Sequence, residues 1–450
     1  MARAFDGEEK RWALEALEGL IRIPSVSAQG TGIGEAAHYL QGFFQQIGLD
    51  ARVMETGGNP VVFAERDVGA GKTILFYNHY DVQPPEPLEL WSSPPFEPTI
   101  REGRIYGRGA YDNKGNIIAR GLAMKVLDEP PVNVRFLVEG EEEVGSKNLP
   151  RFVEEHGGLL KADLCIWESG SRDEEGRLQI DLGCKGILAL ELRARGPKAD
   201  LHSSLSPIVP NPAWRLAWAL SSMKGRDEEI KVEGFYDGVL EPTEEELEYL
   251  ARIPFDERGK LERYGLEEFL GGARGAEVLR RLYYSPAMNI SGLGAGYQGE
   301  GSKTVLPSVA MAKLDVRLVP EQRPERVLGA IERHLQRGGF RNIELRCTEG
   351  YPAGRTPMDN PYVGLVAEAA REVYGGAVIH PTSAGSGPIY LFTKRMPCIS
   401  AGVGHAGSNA HAPDESIYVE NLFLGARHMA LVMERLGEAT SPSGRTPPGL

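Results

Sequence analysis

Apolar residues recur at helical spacing along EEKRWALEALEGLIRI and GEAAHYLQGFFQQIG, so both stretches are expected to be amphipathic helices. ARVMET, NPVVFAER and KTILFYNHYDV carry short apolar runs rich in β-branched and aromatic residues and are expected to be strands. NIIARGLAMKVLDE returns to the helical period, and VNVRFLVEG and ADLCIWE read as strands again. Strands alternating with helices point to an α/β sheet. From about residue 185 the pattern restarts: ILALELRARG is strand-like, PAWRLAWALSSM helical, and an acidic helical stretch lies near 242–270. VAMAKLDVRLV then reads as a strand and RPERVLGAIERHLQRG as a helix. NPYVGLVAEAAREVYG and ENLFLGARHMALVMERL are expected to close the chain as helices, with the tail ATSPSGRTPPGL disordered. The chain carries no internal repeat.

A length of 450 residues is long for one core, so two domains are expected. Fifty Lys and Arg against 63 Asp and Glu give a net charge of −13, which argues against nucleic acid or an anionic membrane as the main partner. No apolar run approaches the roughly 18 residues of a membrane span. The N-terminal stretch is too charged for a signal peptide. Cys165, Cys184, Cys347 and Cys398 are scattered without CxxC spacing, which disfavours a thiolate zinc site and a disulfide framework and fits a reducing cytoplasm. Two glycine motifs are lookalikes. GAGKT at 69–73 is followed by a strand rather than a helix, and GAGYQG at 294–299 has no helix after it to face a pyrophosphate.

Candidate chemistry collects at expected strand ends. His79 and Asp81 are two apart on a strand and share a face. A carboxylate beside a ligating imidazole fixes its tautomer and raises its basicity. Asp112 sits at a glycine-rich bend in GRGAYDNKG, Glu141, Glu142 and Glu143 run together in EGEEEVGS, and Glu168 ends ADLCIWE. GHAGSNAHAPDES adds His405 and His411 in a small-residue loop. Open α/β sheets bind ligands at the carboxyl ends of their strands. Imidazole and carboxylate without thiolate suit zinc, manganese or cobalt, and this many carboxylates suit two metals, whose charge removes their mutual repulsion.

HYDVQP, GRGAYDNKG, EGEEEVG, DLHSS, KTVLP, LDVRLVP and NAHAPDE, in this order, resemble the dinuclear zinc metallopeptidases that include carnosinases and cytosolic dipeptidases. Acetylornithine deacetylase, succinyl-diaminopimelate desuccinylase, aminoacylase and glutamate carboxypeptidase are relatives. The resemblance spans about residues 10 to 435. It implies an α/β, zinc-aminopeptidase-like catalytic domain from 1–184 and 352–450, interrupted by a smaller α+β lid and dimerisation domain at 185–351. It implies that Asp112 bridges two divalent ions, zinc first, with His79 and Glu168 on one and Glu143 and His411 on the other. Asp81 would orient His79, and Glu142 would be the general base. That reading needs a turn at 142–143 and leaves Glu141 solvated.

In the insert, His202 of DLHSS matches a histidine lent across a homodimer to steady the oxyanion. Thr304 of KTVLP and Arg317 of LDVRLVP match contacts to the substrate carboxylate, with Asn289 a further candidate. Carnosinase-like enzymes carry REGGSIP in a late glycine loop. TSAGSGP stands here, with Thr382 in place of the arginine and Ser386 retained. The expected enzyme is a cytoplasmic, homodimeric two-metal hydrolase of small peptides, a dipeptidase. The alternatives are an N-acyl-amino-acid deacylase, a metal-binding scaffold without catalysis, and a two-metal phosphoesterase. The last lacks a Lys/Arg phosphate clamp beside the ligands.

Overall fold

A computed structural model describes residues 5–439, so all but the first residue of the tail 439–450 lies outside the described residues. The chain divides into two compact units. The first comprises the residues up to Gly183, Arg355–Thr382 and those from Leu391 on; the second comprises Cys184–Gly354 and Ser383–Tyr390.

The first unit is built on a six-stranded mixed sheet. Its strand order is Asp50–Met54, Val61–Arg66, Asn133–Glu139, Thr73–His79, Leu164–Trp167 and Cys398–Ser400. The last four run parallel, and the first two join antiparallel. The parallel strands are continuous apolar runs because both faces are covered, and ILFYN within Thr73–His79 is fully buried. Helix Gly7–Ile21 starts on a capping box between Asp6 and Glu9 and buries Ala13, Ala16, Leu17 and Leu20, the stripe expected from its period. Helix Lys114–Leu127 is buried through its first three turns and packs between Gly7–Ile21 and Val419–Glu438. From it the buried guanidinium of Arg120 reaches the carbonyls of Tyr77 (2.6 Å), Trp167 (2.5 Å) and Ala401 (3.3 Å). One cation thus ties the carboxyl ends of three strand segments, beside the residues that follow them.

The second unit has an antiparallel sheet in the order Ala287–Ala295, Val309–Leu318, Gly183–Arg195, Ile343–Tyr351. Leu188, Leu190 and Leu192 alternate with half-buried residues, as do Leu314, Val316 and Leu318, so one face is core and the other open. Helices Pro212–Met223 and Pro324–Arg337 supply the covering apolar stripe through Leu216, Ala219, Val327 and Ile331. Segment Ser383–Tyr390 falls within the sequence range expected for the catalytic domain, yet it belongs to this unit. Strand Ser383–Ser386 pairs parallel with Cys184 and Lys185, a long-range pairing invisible to local pattern.

The two glycine lookalikes resolve as expected. Lys72 pairs with Asp163 at 2.9 Å just before a strand, and GAGYQG ends a strand and turns. No helix among the described residues is long and apolar enough to cross a membrane.

Candidate metal centre

His79 ends its strand and is 1% exposed. Its Nδ1 donates to the main-chain oxygen of Asp81 at 3.0 Å. In the neutral ring this leaves the Nε2 lone pair facing Asp112 Oδ1 at 3.2 Å and Glu168 Oε2 at 3.8 Å. The tautomer is therefore set by the backbone of Asp81 rather than by its carboxylate, which stands 3.5 Å from Nδ1. That carboxylate accepts from the amides of Glu142 (3.3 Å) and Glu143 (3.1 Å) instead. Asp81 thus joins the histidine strand to the glutamate run.

The glutamate run explains itself locally. After strand Asn133–Glu139 the chain passes Gly140, where a side chain would run into the Tyr80 ring. Glu142–Val144 then form a 3-10 turn closed by Gly145 at φ +89°, the left-handed region open to glycine. The turn lets two consecutive glutamates avoid opposite faces of a strand. Glu143 is 3% exposed at its side chain and lies 3.2 Å from His411 Nε2 through Oε2. Gln83 Nε2 donates to that same oxygen at 2.9 Å and to the Glu143 carbonyl at 3.2 Å. Glu141 is half-buried and held by hydrogen bonds rather than freely solvated. It accepts from the Asn59 amide at 3.1 Å, the Asn148 amide at 3.2 Å and Asn148 Nδ2 at 3.0 and 2.9 Å, because two loops bring donors to it.

Asp112 lies between the imidazoles, Oδ1 toward His79 and Oδ2 3.0 Å from His411 Nε2. Its loop and the His411 loop share one anchor. The fully buried Glu415 accepts from Arg108 Nη1 at 2.7 Å and from the amides of Gly109 (3.1 Å), Tyr111 (2.9 Å) and Asp112 (2.9 Å). His411 itself sits at φ +61°, strained for a residue with a Cβ. His405 stands apart, stacked obliquely on Tyr418.

So many carboxylates in a small volume perturb one another. Burial and the field of Glu168 hold the Glu142 carboxyl well above its usual range. Burial pushes Glu168 up to about 8. Hydrogen bonds to Asp112 and Glu143 raise His411 to about 10. Burial would lower His79, but Asp112, Asp81 and the nearby glutamates hold it well above the ordinary imidazole value. Burial would raise Asp112, but the two imidazoles hold it below the usual carboxylate range. Two buried oxygens here, Glu143 Oε1 and Glu168 Oε2, have no hydrogen-bond donor among the described residues. His79, Asp112 and Glu143 each offer a ligand atom, all within 4.8 Å of one another. Orphaned carboxylate oxygens beside clustered imidazoles fit a divalent cation held by nitrogen and oxygen.

The remaining candidates lie in the second unit. His202 is exposed, its Nδ1 3.2 Å from the Ser204 amide, and pairs across a short ladder with Val305, next to Thr304. Arg317 Nη1 donates to Ser386 Oγ at 2.7 Å, and Asn289 Nδ2 to Asp315 at 3.0 Å.

The family model for peptidase family M20/M25/M40 matches residues 75–435. The chain belongs to this family. Among M20 structures, a metallo-carboxypeptidase from Sulfolobus solfataricus is 40% identical, with a TM-score of 0.91 over 97% of this chain and 100% of that one. Human carnosine dipeptidase 1 is 25% identical, with a TM-score of 0.80 over 96% of this chain and 98% of that one. Among curated relatives, a human Beta-Ala-His dipeptidase is 30% identical over 70% of this chain and 65% of its own length. A Cys-Gly metallodipeptidase of Schizosaccharomyces pombe is 26% identical over 94% and 95%. In this M20-family chain the sequence reading overlooked Gln83, Arg108 and Glu415. All three stand inside or beside quoted motifs, where an extra polar residue near proposed ligands was the available signal.

Proposed function

We propose that the chain is a metal-dependent dipeptidase that releases a C-terminal residue bearing a free carboxylate. The observation that carries this reading is the cluster of His79, Asp112, Glu143, Glu168 and His411, closed to solvent at His79, Glu143 and Glu168 and open at His411, with two orphaned carboxylate oxygens. Family membership and relatives named as dipeptidases support it. The residues named for the ligands and the base are part of the proposal.

His79 and Glu168 would hold one divalent ion, Glu143 and His411 a second, and Asp112 would bridge them. Zinc is the first choice, with manganese or cobalt as alternatives. The chemistry supplied when such ions are bound would be polarisation of the scissile carbonyl and a water brought toward ionisation near neutral pH. Glu142, aimed by its turn and by Asp81, takes the proton of the attacking water. It passes that proton to the leaving nitrogen as the C–N bond breaks, yielding a carboxylic acid and an amine. His202 donates to the developing oxyanion, supplied by the partner of a homodimer. Arg317, Ser386, Thr304 and Asn289 hold the substrate's end. A cytoplasmic location completes the reading, on the scattered cysteines.

A second reading, a carboxypeptidase acting on longer peptides, is favoured by the likeness to the Sulfolobus metallo-carboxypeptidase over the whole chain. Purified protein, chelated and reloaded with zinc, manganese or cobalt, should be assayed on dipeptides, longer peptides and N-acyl amino acids. Fastest turnover of dipeptides, lost on chelation and restored by metal, is expected. Preference for longer peptides selects the carboxypeptidase. Preference for acetylated amino acids, or activity indifferent to exhaustive chelation, overturns the proposal.

A further inference from the structure

Lys185 opens the central strand of the second unit's sheet and is 5% exposed. Its Nζ donates to one carbonyl, that of Ser285, at 2.7 Å. It makes no ion pair among the described residues, and the charged neighbour whose field reaches it is the guanidinium of Arg317, of the same sign. Strand register explains the meeting. Ile187 pairs with Arg317, and Lys185, two positions away, projects from that same face, opposite the leucine core. Ser386 pairs with Lys185 and receives Arg317 Nη1 at 2.7 Å. Ala287 and Asn289, on the next strand, lie across from Arg317 and Asp315 on the same face.

Burying one cation without an anion is costly, and placing a second beside it adds repulsion. Asp315 offsets Arg317 weakly, from 4.0 Å and while also engaged by Asn289. Among the described residues the guanidinium meets Ser386 and, more distantly, Asp315, which leaves most of its five N–H donors for a ligand. A buried lysine, a part-exposed guanidinium and a hydroxyl on one face of a sheet therefore describe a seat for an anion.

We propose that Lys185 is a specificity-determining residue, joining Arg317 and Ser386 in a dicationic seat for the free carboxylate of the substrate's C-terminal residue. The inference rests on the exopeptidase reading above and adds the residue that makes the seat doubly charged. A planar Arg fork can take the carboxylate bidentately, while the lysine contributes a point charge from the side.

The test compares a dipeptide that the zinc-loaded wild type cleaves with the C-terminal amide of that dipeptide. Lys185→Met should raise KM for the free acid about tenfold or more, the loss of one charge-assisted bond, with a smaller change in kcat. The amide, which the seat should take poorly from the outset, should lose little further. Lys185→Arg should restore much of the preference for acid over amide. The ligand-free Lys185→Met protein should melt at or above the wild-type temperature, since a buried like-charge contact has been removed. Arg317→Met is the control. If it abolishes acid-over-amide preference and Lys185→Met does not, Lys185 is no part of the seat. If neither matters, the carboxylate-reading function itself fails. A Lys185→Met protein that melts well below wild type, or loses acid and amide equally, assigns Lys185 to the Ser285 contact alone and overturns the proposal.

Discussion

Glu415→Gln isolates how two loops far apart in sequence are locked together at the proposed metal centre. The wild-type carboxylate receives four donors, Arg108 Nη1 and the amides of Gly109, Tyr111 and Asp112, with both charged side chains essentially inaccessible. The amide keeps the volume and one acceptor oxygen. Its NH2, however, must face either the guanidinium or a backbone N–H, donor against donor. Leaving a buried charge unpaired costs about 3–5 kcal/mol. Retention of one acceptor brings the expectation to about 3 kcal/mol. For a unit of this size that corresponds to a melting temperature lower by about 6–12 °C in the metal-free protein. Because Glu415 holds the Asp112 amide and sits four residues from His411, metal affinity should fall as well, by about 10- to 100-fold. Thermal melts of chelated protein and zinc competition against a chromogenic chelator measure the two effects separately. Arg108→Met with Glu415→Leu removes the buried charges but strands the Gly109, Tyr111 and Asp112 amides, so it should recover neither full stability nor the metal. A Glu415→Gln protein that melts within about 1 °C of wild type and binds zinc as tightly would refute the shared-anchor argument.

The other expectations concern the cluster itself. Loading zinc at pH 7 should release about two or more protons, because His411 (about 10), Glu168 (about 8) and His79 are all raised in the metal-free site and must deprotonate to ligate; affinity therefore rises with pH through that range, and a binding enthalpy independent of buffer ionisation contradicts it. Glu142→Gln should keep its metal and lose about 100-fold or more in kcat, whereas Glu141→Ala should keep metal and chemistry but lose about 1–3 kcal/mol of stability through its stranded donors. If Glu141 proves the catalytic one, the register of the run has been misassigned. Mixing inactive His202→Ala with inactive Glu142→Ala subunits should restore about a quarter of wild-type activity if His202 serves the partner's site, and none if it serves its own.

What the sequence determined by itself was what short-range periodicity and residue chemistry can encode. Continuous apolar runs placed the parallel strands Thr73–His79, Asn133–Glu139 and Leu164–Trp167, and the candidate ligands fell at or just beyond their carboxyl ends because the α/β pattern puts them there. The need for a turn in EGEEEVGS was legible from Gly140 and Gly145, and the 3-10 turn is there. Tertiary structure alone decided which donors those residues meet. Nothing local distinguishes Glu141 from its neighbours, and only the convergence of Asn59 and Asn148 makes it structural. Asp81, beside the imidazole at 3.5 Å, also meets the Glu142 and Glu143 amides for the same reason. Glu415 and Arg108, 307 residues apart, acquire meaning only when the chain brings them together in a medium too dry to leave either charge unpaired. Likewise Lys185 reads as an ordinary strand lysine until the pairing of Gly183–Arg195 with Val309–Leu318 sets it beside Arg317. A pattern of period two or 3.6 specifies which face a side chain takes, whereas the energy of a buried charge depends on partners hundreds of residues away.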